Sequence, residues 1–149
     1  MILLSSLDLE EYKLGVEELE SRANVLMELL RQLLHGEIYE FSSAKSSDVP
    51  EEPGVYLIRE KKDGGLTVVY VGRTRNLRRR ILTNHRSGNR RASIFRRKLS
   101  KHRYLKNEKE VSEYIRAKCY FQFLVLKEEG ERNSLEHFAI SLLNPELND

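Results

Sequence analysis

The sequence predicts an α/β (α+β) chain: a small three-stranded antiparallel or mixed sheet flanked by helices, preceded by a long N-terminal helix. Three observations carry that prediction. Apolar residues repeat at heptad spacing from Leu9 to Leu33, two β-rich runs are joined through Asp63-Gly64-Gly65, and a continuous apolar run from Cys119 to Leu126 precedes a last amphipathic segment. At 149 residues the length suits one domain plus an appendage. The expected division is a helical segment over 1–41, a linker over 42–53 and a domain over 54–149.

Leu9, Tyr12, Val16, Leu19, Ala23, Leu26, Leu30 and Leu33 alternate spacings of three and four, which makes a heptad seam. Ser5 or Ser6 can cap its start, and Gly36 stands where a left-handed C-terminal residue is expected. Such a helix either pairs with a second copy, giving a homodimer, or lies on the body of its own chain. Residues 42–53, rich in serine and holding Pro50 and Pro53, read as a linker. Gly54 to Arg59 and Leu66 to Val71 form a hairpin. If it is symmetric about Asp63, residues whose numbers sum to 126 face each other, and Tyr56 lies opposite Tyr70. Asn76 is placed to cap a helix reaching about His85, Ser93 to His102 forms a second helix, and Asn107 opens a third. Cys119 to Leu126 is a buried strand. The last helix, about Arg132 to Leu143, buries Leu135, Phe138, Ala139 and Leu142, and Pro145 stops it.

Composition narrows the function. An apolar fraction of 40% with 33% charged residues describes a globular protein, neither disordered nor membrane-spanning. No stretch approaches the roughly 18 apolar residues that span a bilayer, and Ile2-Leu3-Leu4 is too short for a signal peptide, so a cytoplasmic chain is expected. The single Cys119 rules out an internal disulfide and a multi-cysteine zinc site. Charge is segregated: residues 1–50 sum to −6, whereas residues 72–106 hold fourteen Lys or Arg and no acid. A block this basic points to a polyanion whose phosphates it neutralises. Arg73, Arg75, Arg79, Arg86, Arg90, Arg91, Arg96 and Arg97 are the candidate nucleic-acid contacts. A solvated basic face without a partner is the plainer alternative.

Cleaving a phosphodiester requires activation of a nucleophile, charge compensation for the transition state and help for the leaving oxygen. Gly54-Val55-Tyr56 and Tyr70-Val71-Gly72 place tyrosines fourteen residues apart on adjacent strands. Arg80 follows Gly72 by eight residues, and Leu135-Glu136 is followed by Pro145 and Asn148 at spacings of nine and three. In this order the motifs resemble those of the GIY-YIG nuclease superfamily, over about Gly54 to Asn148. The resemblance implies the GIY-YIG fold and a metal-dependent endonuclease that hydrolyses DNA to 5′-phosphate and 3′-hydroxyl ends. It makes Tyr56, Tyr70, Arg80, His85, Glu136 and Asn148 the candidate catalytic residues. One tyrosine takes the proton of the attacking water while the other orients water or phosphate, and the residues do not say which. Arg80 offers a bidentate fork to the scissile phosphate. Glu136 holds one Mg²⁺ or Mn²⁺ whose other ligands are waters and phosphate oxygens.

Two positions depart from that pattern. Arg73 stands where many members carry lysine. Where many members carry His or Tyr, four residues after the arginine, this chain has Asn84, with the histidine one position later at His85. Either His85 reaches in after a local bulge, or the site works without that group, or the domain is a slow or inactive nucleic-acid-binding module. A further expectation is that the acidic N-terminal arm folds over the basic surface and restrains it.

Overall fold

A computed structural model describes the backbone from Ser6 and the side chains from Gly15 onward. It comprises α1 (Ser6–Leu34), β1 (Tyr39–Glu40), β2 (Gly54–Lys62), β3 (Gly65–Thr74), a π-helix (Arg79–Arg86), α2 (Ile94–His102), α3 (Glu108–Lys118), β4 (Cys119–Val125) and α4 (Glu129–Leu143). Short 3₁₀ turns at Ser46–Asp48 and Glu146–Asn148 complete it. The sheet is antiparallel with order β1-β4-β2-β3. It has four strands, one more than expected, because Tyr39 and Glu40 pair with Phe121 and Tyr120. No described helix is long and apolar enough to cross a membrane.

Alternation along β2 divides the core in two. Tyr56 and Ile58 face a layer that includes Ile81, Phe95, Leu99 and Ile115. Val55 and Leu57 face the other way, onto Leu30 and Leu33 of α1 and Leu135 and Ala139 of α4. The acidic helix therefore packs on the sheet face opposite the tyrosines, and its packed half cannot restrain the basic helices as expected. Among its described side chains, Leu30 and Leu33 are 3% and 0% exposed, whereas Leu19 and Val25 are 65% and 57% exposed. The seam positions Leu30 and Leu33 are occupied by the domain itself. The side chains of Leu9 and Tyr12 and the cap candidate Ser5 lie outside the described residues.

Residues 42–53 are docked onto the domain. Ala44 and Val49 are buried. The carbonyls of Glu52 and Pro50 accept from the N–H groups of Leu77 and Arg78 at 2.9 and 3.1 Å, and Val49 O accepts from Arg78 Nε at 2.7 Å. A helix start leaves its first N–H groups without intrahelical acceptors, and this segment supplies them. Its serine and proline content looks like a linker, yet its carbonyls have a structural task.

The hairpin register also differs from the expected one. Asp63 and Gly64, both at positive φ, form a two-residue turn, so pairs next to it sum to 127, as in Lys62 with Gly65. A bulge between Ile58 and Arg59 then inserts Val69, and beyond it pairs sum to 128, so Tyr56 faces Gly72 and Tyr70 faces Ile58. Without the bulge Tyr56 would pair with Val71, and the two tyrosines would lie on opposite faces of the sheet. The inserted residue restores what the turn would have broken.

At the far end of β2 a charged cluster ties the C-terminus down. Glu60 is fully buried and receives both arms of Arg103, at 2.8 and 2.9 Å, and the Tyr114 hydroxyl. Arg103 also bonds both carboxylate oxygens of Glu146, at 2.9 Å each. Burial raises the Glu60 carboxyl, but the bonds from Arg103 and Tyr114 outweigh it and hold it below its ordinary value. Arg103 pulls Glu146 down to about 2. Both folded-state values lie below the ordinary 4.5, so this stabilisation is complete above about pH 4.5 and is lost as pH falls toward 2. Arg103→Ala is expected to cost about 3 kcal/mol at neutral pH, because it strands the Glu60 charge, and to flatten the loss of stability below pH 4.5. Urea unfolding across pH checks this; a cost below about 0.5 kcal/mol would contradict it.

Candidate active site

The site forms where β2, β3, the π-helix and α4 meet. Tyr56 is fully buried, and its ring lies 6.3 Å from that of Tyr70 and 5.3 Å from the His85 imidazole. The ring crosses Gly72, the residue opposite in the register. A Cβ there would overlap the Tyr56 hydroxyl, which is the physical reason for glycine at that position. Tyr70 packs against Phe95 and His85 and keeps 8% exposure.

His85 enters through the π-helix. In an α-helix, residues five apart point well away from one another, and only the wider i→i+5 ladder turns His85 toward the side that carries Arg80. Of the alternatives the sequence left open, the structure takes the local bulge. His85 Nε2 is 2.6 Å from Tyr56 Oη, and Nδ1 is 2.7 Å from Ser93 Oγ. The carbonyls of His85 and Arg86 are gripped by the buried Arg96 guanidinium at 3.0 and 3.1 Å, which fixes the exit of the helix. Asn84 instead lines an open cleft of about 600 Å³ together with Arg73, Arg75, Arg79 and Arg80.

Charge is distributed unevenly around the tyrosines. Burial first, and then the neighbouring Arg80 and Arg96, push His85 down to about 3, so the ring is neutral at pH 7. Burial and the proximity of Tyr70 raise Tyr56 well above the ordinary phenol value, with Arg80 opposing. Tyr70 is raised by burial and by Glu136, while Arg80 and Arg97 oppose. Arg80 and Glu136 therefore act on the same pair of hydroxyls. Glu136, with a side chain 15% exposed, forms an ion pair with Arg73. The pairing with Arg132 that helical spacing allows is absent, because Arg132 bonds the carbonyls of Leu126 and Lys127.

Several candidates are bonded away from the tyrosines. Asn148 touches neither the tyrosine hydroxyls nor the cleft: its Oδ1 accepts from Val71 N at 2.8 Å and its Nδ2 donates to Val71 O at 2.9 Å. It stands in for a missing strand partner along the β3 edge, beside Tyr70. Arg96 is 0% exposed and unavailable to nucleic acid. Arg86 bonds the carbonyls of Phe41 and Ala44, and Arg90 is held by Glu108. Arg75, Arg79, Arg91 and Arg97 remain exposed. Sequence reasoning gave Ser93 only a helix start, and a cap signature carries no sign of the histidine it meets.

A GIY-YIG fold with paired strand tyrosines, a nearby arginine and a carboxylate on a late helix defines an endonuclease-type catalytic domain. A family model described as the GIY-YIG catalytic domain matches residues 52–148, and the chain belongs to that family. Curated proteins called UvrABC system protein C, from Trichormus variabilis and Nostoc sp., are each 30% identical over 105 residues, covering 70% of this chain. The chain spans only 14% of the length of these relatives. Among solved structures, the magnesium-bound GIY-YIG N-terminal endonuclease domain of UvrC from Thermotoga maritima is 22% identical, with a TM-score of 0.42 over 68% of this chain and 88% of that one. A tyrosine point mutant of that domain, bound to its catalytic divalent cation, is 25% identical, with a TM-score of 0.38 over 68% and 87% of the two chains.

Gly72→Ala is expected to destabilise the domain by about 1–3 kcal/mol, because the added carbon must displace the Tyr56 hydroxyl in a packed core. Thermal and urea unfolding check this; unchanged stability would contradict the packing of Tyr56 over Gly72.

Proposed function

We infer that this domain is a divalent-metal-dependent endonuclease that hydrolyses DNA phosphodiester bonds. The observation that carries the reading is the meeting of separate elements at one place: Tyr56 and Tyr70 on one face of the sheet, Arg80 and Arg73 on the cleft wall, and Glu136 of α4 against Arg73. The residues fit a hard cation of the Mg²⁺ or Mn²⁺ kind. Glu136 already sits against a positive charge, that of Arg73, and the described residues form no cluster of three or more His, Cys, Asp or Glu. A lone carboxylate suits an ion that keeps waters and phosphate oxygens as its other ligands, and does not suit a closed zinc site. Such an ion on Glu136 supplies charge compensation at the phosphate and a lower pKa for water.

The chain's own residues divide the remaining work. Arg80, on the cleft wall, presents its guanidinium to the scissile phosphate. Tyr70, at 8% exposure against 0% for Tyr56, is the hydroxyl that meets the attacking water. Burial comes first in holding Tyr70 up, with Glu136 second, and Arg80 and Arg97 oppose both, so those two guanidiniums are the groups that favour the phenolate and removal of a proton from water. Tyr56 stands behind Tyr70 and joins it to His85. Exposed Arg75, Arg79, Arg91 and Arg97 hold the backbone on either side of the reacting phosphate. The placement of His85 favours a working site over an inactive binding module.

Nicking of supercoiled plasmid in Mg²⁺ or Mn²⁺ tests the reading. Glu136→Ala is expected to lower the rate on the order of 100-fold or more while salt-sensitive DNA binding persists. Nicking by Glu136→Ala at the wild-type rate would contradict it.

A further inference from the structure

Arg73 faces two ways. Its side chain lines the cleft beside Arg75, Arg79 and Arg80, while its Nη1 donates to Glu136 Oε1, on the carboxylate that the endonuclease reading gives to the divalent ion. The other cleft arginines leave that carboxylate alone: Arg75 reaches Glu129 at 4.0 Å, and Arg132 is bonded to the carbonyls of Leu126 and Lys127. Among the described residues, the remaining ion partner of Glu136 is the exposed His137 ring, 3.8 Å away. A guanidinium keeps its charge at any ordinary pH, so the pair with Arg73 is undone only by moving the arginine.

The pair is weakly held. Arg96 and Arg103, which join loops of the fold, each bond several acceptors and are largely buried. Arg73 has one side-chain hydrogen bond among the described residues, that to Glu136, and its side chain is 41% exposed. An exposed arginine held at one point costs little to displace. Glu136, with a side chain 15% exposed, is poorly screened, so a divalent cation and a guanidinium on the same oxygen would repel strongly. The cleft offers Arg73 a second kind of acceptor, because Arg75, Arg79 and Arg80 concentrate positive charge there for a phosphate.

We propose that Arg73 is a displaceable counter-charge: it holds Glu136 until the divalent ion takes the carboxylate, and its guanidinium then turns to a DNA phosphate in the cleft. The identity of the metal ligand rests on the endonuclease reading; the exchange adds what sets the affinity of that ligand. Apparent affinity for the ion is lowered by the fraction of molecules in which Arg73 occupies Glu136. DNA that draws Arg73 away strengthens ion binding, and the ion strengthens DNA binding by the same factor.

Mn²⁺ binding to the full chain, followed by loss of the free-ion paramagnetic resonance signal, tests the exchange without any cleavage. Arg73→Ala and Arg73→Gln should each bind Mn²⁺ about three- to tenfold more tightly than the wild type, the scale of a partly exposed ion pair and its residual repulsion. Arg75→Ala removes the same charge from the same cleft but not from Glu136, and should stay within about twofold. Both Arg73 variants should bind a short DNA duplex in EDTA about threefold more weakly. A damaged fold would weaken both ligands, whereas the exchange moves them in opposite directions. Equal or weaker Mn²⁺ binding by both Arg73 variants would overturn the proposal, as would an equal gain in Arg75→Ala or undiminished DNA binding. Wild-type Mn²⁺ binding that persists unchanged in Glu136→Ala would contradict the endonuclease reading and the exchange together.

Discussion

The buried contact between Tyr56 Oη and His85 Nε2, at 2.6 Å, is the constraint around which the site is arranged. It joins a central strand to a helix, and each side reaches it through a local irregularity. On the sheet, the bulge that inserts Val69 restores the two tyrosines to one face. On the helix, π winding turns His85 toward the side that an α-helix would give to Asn84. Each is a one-residue change of register. Irregularities of this kind are costly within regular structure and persist where surrounding contacts determine them. Here Arg96 grips the helix exit, Ser93 meets the ring, and Gly72 leaves room for Tyr56.

The basic segment serves two purposes that net charge alone cannot separate. Arg86, Arg96 and Arg103 turn inward and are spent on backbone carbonyls and on Glu60, Glu108 and Glu146. A guanidinium with several donors in a fixed fork can satisfy three or four acceptors at once, which suits it to joining loops that lack regular structure. Arg78 and Arg90 are held in part, by Val49 and Glu108, whereas Arg73, Arg75, Arg79 and Arg80 line the cleft. Electrostatic attraction for a polyanion is therefore weaker than a count of fourteen basic residues suggests, and more localised.

Much of the fold was legible in the sequence. α2, the start of α3 and β4 fall within a residue of where period and capping place them, and the hairpin strands run three residues past Arg59 and Val71, because Ser93, Asn107 and Asp63-Gly64 carry local signals strong enough to act alone. β1 was not legible: two residues hold no period. Neither was the register, since a bulge at Val69 leaves no mark in a run of β-branched residues, nor the docking of 42–53, where the acceptors are carbonyls and any side chain would serve. The tyrosines, Arg80 and Glu136 were legible by spacing. The bonds of Asn148 to Val71 and the burial of Arg96 were not legible, because polarity records that a side chain needs partners and not which partners it finds.

The claim that π winding delivers His85 to Tyr56 is tested most directly by exchanging the two residues at the break in the pattern. In an Asn84→His/His85→Asn variant, the histidine occupies the position that α-helical winding would aim at the tyrosines. The account predicts that this variant keeps the wild-type fold by circular dichroism but nicks supercoiled plasmid in Mg²⁺ on the order of 100-fold more slowly. Nicking at the wild-type rate would contradict it.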